Sequence, residues 1–442
     1  MSGNMCENKK ESMLKHTRDT IIFMTAYGIH NLKHKFHIFH KKKNIKDLLL
    51  KHHIEGISCE DLYISRKGKI SYKMIYDTVS QTSKYEFDDN LKKMVDVDSD
   101  FIDKMMSVLS IYHTAQLLLD TSQIDISMCF NLESFLVMLN DKIYQVDPLA
   151  FYFNEAIIVN YELIDFETSD PLDRNSIYGR ANDFNILKVD KFKYFTDEDF
   201  INRGEKISDI IFENLISFLN ELVNNKLEID DYTFVHNKLV LSNNINNAQS
   251  YFQNVLNIDI PDYNIKNIST VNKYKYFSAE SMGIVTDIKT DNISKILNDT
   301  LVLESLKVFL LLNMILDYNV HQELNEVIDN QIRIKSLFYP LNVPIVTENM
   351  IDNLKRTPSF TKFEQAVNYK IDTLKIYQER SKAENGRLMN ILLYILAVFG
   401  SVQTLQILDD NFNISIRITI WITTAVFLIA GIRWFITDNK NK

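Results

Sequence analysis

The chain has 442 residues, with 49 Lys and Arg against 58 Asp and Glu, for a net charge of −9. That balance excludes a strongly basic nucleic-acid binder, and no direct nucleic-acid binding is expected. Three cysteines without CxxC spacing exclude a disulfide scaffold or a zinc ribbon, and 10 Gly with 6 Pro exclude long flexible linkers.

The charge is uneven. Residues 1–80 carry 15 basic and 8 acidic side chains, a surplus of +7, so the remainder sums to −16. The start, MSGNMCENKKESMLKHTRD, has no apolar core segment, so no secretory signal is expected there.

In chain order, TIIFMTAYG (20–28) reads as a strand, rich in β-branched and aromatic residues, and HKFHIFH (34–40) alternates like another. IKDLLLKHH (45–53) fits a short helix, and DLYISRKGKISYKMIY (61–76) a hairpin turning at Arg66–Lys69. Residues 95–120 predict a helix with an acidic start. A second hairpin turning at Asn140–Asp141 is expected over 134–146, and strands continue through 151–166. Residues 207–225 show an amphipathic helical period, and 232–242 reads as a strand.

After about residue 290 the strand signals stop. Residues 293–332 form one long helix or two, and from Phe360 a proline-free helix continues as a stalk. Phe360, Phe363, Val367, Ile371, Leu374 and Tyr377 recur on it at steps of three and four, a seam for neighbouring helices.

Two apolar runs close the chain, LMNILLYILAVFGSVQTLQIL (388–408) and RITIWITTAVFLIAGIRWFI (417–436). Each is near the length needed to cross a bilayer, and the short connection predicts an antiparallel transmembrane hairpin. Lys and Arg flank both outer ends, so both termini are expected in the cytoplasm and the protein in the plasma membrane. Asn390, Tyr394, Ala397, Ser401 and Thr404 share one face of the first run. Such a face either lines a pore or glues helices together. Asp409 and Asp410 follow as an acidic mouth.

The segment AENGRLMNILLYILAVFGSV (383–402), after a long helix and a mixed cytosolic part, resembles the CorA family. The resemblance implies an α+β cytosolic domain (1–292), a helical layer and stalk (293–387), two C-terminal transmembrane helices (388–436) and a short tail (437–442). It also implies a homopentamer, a pore lined by the first span with Asn385 near its cytosolic end, and Mg²⁺ or another divalent cation as cargo. The family's Gly-Met-Asn signature is missing: LQILDDNFN (405–413) stands in its place. Divergent CorA-like proteins without it resemble effectors of type III CRISPR defence, which implies gating by a nucleotide second messenger. Two alternatives stay open, a divergent divalent-cation transporter and a non-conducting anchored sensor or scaffold.

Other constellations carry less. Arg174 and Arg180 flank Tyr178 in a loop-like stretch, where arginines pair with phosphate and a tyrosine stacks on a base. Neither helix nor strand converges His30, His34, His37 and His40 on one face, so these read as a solvated basic patch with His52 and His53. Asp96, Asp98 and Asp100 imitate a calcium loop, but Phe101 replaces its glycine. No Walker A, GxGxxG, HExxH or GxSxG pattern occurs, and no nucleophile–base set points to an enzyme.

Overall fold

The computed structural model describes residues 19–30, 44–77, 82–88, 99–118, 126–139, 142–153, 156–165, 189–190, 207–223, 227–245, 247, 250–251, 267–269, 272–290, 292–319, 324–339, 343–409, 418, 421–426, 429 and 433. The chain divides into two compact units, residues 1–322 with 327–367 and residues 323–326 with 368–442.

The first unit is built on a 13-stranded sheet of order β12-β13-β11-β1-β9-β8-β6-β2-β3-β4-β5, with β7 and β10 off that path. Inside it, fourth from the β12 edge, lies β1 (Thr20–His30), paired antiparallel with β9 (Ala156–Asp165) and β11 (Glu228–Leu241). The other strands are β2 (Ile54–Cys59), β3 (Leu62–Ser65), β4 (Gly68–Asp77), β5 (Thr82–Phe87), β6 (Ile126–Leu132), β7 (Phe135–Leu139), β8 (Lys142–Phe153), β10 (Val189–Asp190), β12 (Lys275–Ser278) and β13 (Met282–Thr286). The pairings are antiparallel except β11 with β13, which is parallel.

Strand β1 shows why these residues sit in the interior of the sheet. Ile21, Phe23, Tyr27 and Ile29 enter one core, while Ile22, Met24 and Ala26 enter the other. A strand buried on both faces reads as a nearly continuous apolar run, as TIIFMTAYG does. The first core is covered by α1 (Ile45–Lys51) and α3 (Ile207–Val223), whose buried Ile211, Leu215 and Leu219 lie on one helical stripe. The second is covered by α2 (Ser99–Leu118), α4 (Ile293–Asn319), α5 (Leu324–Phe338) and α6 (Ile345–Lys355).

Helix α4 is the spine of that second layer. Val308 to Leu312 are buried all round, so the helix is enclosed rather than amphipathic. Asn313 interrupts the run, and its Nδ2 donates to the Phe309 carbonyl at 2.9 Å, which satisfies a polar group that would otherwise be costly to bury. Of the one or two helices expected over 293–332, the structure has two, α4 and α5.

The last helix, α7 (Pro358–Asp409), is 52 residues long, about 78 Å at 1.5 Å per residue. Phe360 and Phe363 pack in the second core, so the predicted seam begins as an intramolecular contact.

Here the structure corrects the reading of the C-terminus. Among the described residues no helix is long and apolar enough to cross a membrane. This overturns the two-span hairpin, the CorA-like fold class built on it and the plasma-membrane location. The run 388–408 is the distal part of α7, a helix that carries Lys362, Lys370, Asp372, Lys375, Arg380 and Lys382 before it. Within the run, Asn390, Gln403, Thr404 and Gln406 interrupt the apolar sequence. Of the second run, the longest described stretch is 421–426.

A cleft at the root of helix α7

A buried polar knot and an open cleft meet where α4, α7 and the β11–β13 edge of the sheet converge. The knot starts from two charges three residues apart on α4, Glu304 and Lys307, with 0% and 1% of their surfaces exposed. Burying a lone carboxylate or ammonium is expensive, so both must be paired and hydrogen-bonded. Glu304 Oε1 accepts from Tyr276 Oη at 2.6 Å and from Ser278 Oγ at 2.7 Å. Its Oε2 accepts from Asn237 Nδ2 at 2.5 Å and pairs with the Lys307 ammonium. Lys307 Nζ also donates to Ser278 Oγ at 3.0 Å and to the Ala279 carbonyl at 2.5 Å, so all three of its donors are used.

Burial pushes the Lys307 ammonium below its usual range, and the carboxylates of Glu304 and Glu280 pull it back. Burial, then the Glu304 charge, pushes the Tyr276 phenol up. The helix α6 joins through Asn353 Nδ2, which donates to the Ser278 carbonyl at 2.5 Å. One network thus ties α4 to α6, β11 and β12.

Above the knot lies a cleft of about 690 Å³, a size that suits a small organic ligand. Leu311, Met314 and Ile315 of α4 form one wall. The first turns of α7 form another, with Ser359, Lys362, Phe363 and Ala366. Val235 and His236 close it from β11, and Glu280 and Ser281 from the β12–β13 turn. Its lining is mostly apolar, with one ammonium, one carboxylate, one imidazole and two hydroxyls. A ligand with a flat apolar part and a small anionic group matches that set, the first against Met314 and Phe363, the second at Lys362.

The residues singled out from sequence fall elsewhere. Asn385, Asn390 and Tyr394 are exposed on α7, and Ala397, Ser401, Thr404 and Asp409 lie further along it. Asp410, and Arg174, Tyr178 and Arg180, lie outside the described residues, as do His34, His37, His40, Asp96 and Asp98. Asp100 sits in the first turn of α2, a helix start. His53 takes a left-handed φ of 55° and holds Glu133 Oε2 at 2.8 Å, while His52 lies 3.3 Å from Glu221. Glu133 also pairs with Arg66, and Arg66 and His53 together hold its carboxyl below the usual range against the upward push of burial. Among the described residues no group of three His, Cys, Asp or Glu side chains could hold a metal.

Cys59 and Cys129 are buried free thiols, and burial pushes the Cys59 thiol up to about 12. The knot was missed at the sequence level, although ESLK inside the apolar run VLESLKVFLLL is a legible signal: two opposite charges one turn apart where a buried helix has no water.

Compared with known proteins, the chain matches no family model, no curated protein and no solved structure.

Proposed function

We propose that the chain is a ligand-responsive sensor without enzymatic activity, whose output element is helix α7. The observation that carries this is that the first two turns of α7 wall the cleft. A ligand that fills the space between Met314 and Phe363 must either fit α7 as it stands or displace it, so occupancy and helix position are linked. The ligand best matched to the lining is a mononucleotide, its base on Phe363 and its phosphate at Lys362.

Signalling along α7 has a natural recipient in other copies of the chain. Leu388, Met389, Leu392, Leu393 and Leu396 are each more than half exposed. At 3.6 residues per turn they span an arc of about 140°. Such a width exceeds a two-stranded seam and suits a helix flanked by two neighbours. Homo-oligomerisation through this arc is part of the proposal.

Thermal unfolding with AMP, GMP, CMP and UMP tests the ligand. At least one should raise the melting temperature, and Lys362→Glu should abolish the shift. No shift with any of the four overturns the nucleotide reading. Light scattering in detergent-free buffer tests assembly. A monomer, or a chain that floats with phosphatidylcholine vesicles, overturns self-association.

A further inference from the structure

A second chemistry is set on the α3 face of the sheet, sharing with the cleft lining only His236 of β11. Along β11, Leu239 and Leu241 enter the core beneath α4, and Val240 enters the core beneath α3. Strand alternation puts Lys238 and His236 on the α3 face with Val240. Lys238 stands opposite Phe23 of β1 and Met282 of β13, and Phe23 stacks on Tyr161 of β9 with ring centroids 5.3 Å apart. The amine is therefore carried in a row of Met282, Phe23 and Tyr161, all buried in that core.

Among the described residues no carboxylate compensates it. Among the described residues Lys238 makes no ion pair and no side-chain hydrogen bond, in contrast to Lys307. Burial alone pushes its ammonium down to about 8. The residue is half-buried, so its end is not sealed from small molecules. Two positions along the same face, His236 Nδ1 lies 2.9 Å from Thr25 Oγ1. Asp209 of α3 is engaged elsewhere, accepting from Tyr27 Oη at 2.7 Å.

We infer that Lys238 is a reactive amine that condenses reversibly with small aldehydes. The Nζ lone pair adds to the carbonyl carbon and the carbonyl oxygen takes a proton, giving a carbinolamine. Loss of that oxygen as water, with both former amine protons, leaves the C=N bond. His236, held by Thr25, is a group on the same face that can take and return a proton. Addition of water reverses each step, so no oxidant or reductant is consumed. An apolar row with no counter-ion favours the neutral amine, which is the form that attacks.

The test uses the full chain with butyraldehyde and sodium cyanoborohydride, which traps the imine as a stable secondary amine, read by peptide mass. A neutral fraction set by a value of about 8 rather than the ordinary 10.4 gives an advantage of about two-hundredfold at pH 7.5. Lys238 should thus be alkylated at least tenfold faster than exposed Lys46. Its rate should rise with pH and level off above about 8. Lys238→Met, which suits an apolar row, should remove the fast-labelled peptide and leave the melting temperature at or above that of the parent. Labelling of Lys238 at or below the rate of Lys46 overturns the inference, as does a rate still climbing past about pH 9.5 like that of an ordinary lysine.

Discussion

Gly283 lies directly against Glu304. A Cβ built on Gly283 would sit 2.5 Å from the Glu304 Cδ and 2.9 Å from its Cγ, closer than real side-chain contacts allow. Glu304 cannot step aside, because Tyr276, Ser278 and Asn237 all hold its carboxylate. Gly283→Ala should therefore destabilise the sheet domain by about 1–3 kcal/mol, the ordinary cost of overpacking. Urea unfolding followed by tyrosine fluorescence measures it. An unchanged midpoint would mean that the carboxylate is not fixed where the network places it.

The Glu304–Lys307 pair is predicted to be conditional. Removing one partner strands the other charge in a site without water, at a cost of about 3–5 kcal/mol. Lys307→Met and Glu304→Leu should each show that loss. The double variant should lose less than either single one, because no buried ion is left without a counter-charge. A double-mutant cycle in urea reads the coupling, and simple additivity of the two losses would refute it.

How much of this was legible follows the range of the interactions. Local features came through: the β-branched and aromatic run of β1, the Arg66–Lys69 turn between β3 and β4, and the amphipathic stripe of α3 all depend on neighbours within a few residues. The knot did not, because its members Asn237, Tyr276, Ser278 and Glu304 meet only after the parallel pairing of β11 with β13 and the packing of α4 over both. The cleft was invisible for the same reason: His236, Met314 and Lys362 share a wall through tertiary packing alone. At the C-terminus the error ran the other way. A hydropathy window at 388–408 sees apolar residues but not that they continue a helix charged along its first thirty residues.

Asp299, on the first turns of α4, is expected to be a stabilising replacement site. Burial pushes its carboxyl up to about 6, only partly offset by Lys295. Because the folded value lies above the unfolded one, the group favours folding below about pH 4 and works against it as pH rises through about 6. Asp299→Asn keeps the shape and removes the charge. The variant should gain about 1–2 kcal/mol at pH 7.5 and nothing at pH 4. Melting temperatures at the two pH values decide it, and a gain of equal size at both would assign the effect to something other than ionisation.

His113 gives the opposite slope. It is 4% exposed on α2, with rings of Tyr72 and Tyr85 each 5.4 Å away and Tyr112 at 5.5 Å. Its Nδ1 lies 2.8 Å from Gln116 Oε1, and among the described residues its buried Nε2 has no hydrogen-bond partner. Burial holds the imidazole below its usual range, more strongly than Gln116 and Asp61 raise it. With the folded value below the unfolded one near 6.5, the stability this residue contributes is present above about pH 6.5 and is lost as pH falls through the folded value. The same sign holds for His52, where burial outweighs Glu221. His113 is also where the β4–β5 hairpin meets α2, since Tyr72 and Tyr85 come from that hairpin. Protonation should therefore loosen the hairpin before the rest of the sheet. Hydrogen exchange at pH 8 and pH 5.5 should show faster exchange in 82–87 at the lower pH, corrected for intrinsic rates, with 156–165 unchanged. His113→Phe, which fills the aromatic cluster without a proton to gain, should erase that difference. Its persistence in the variant would place the pH response elsewhere.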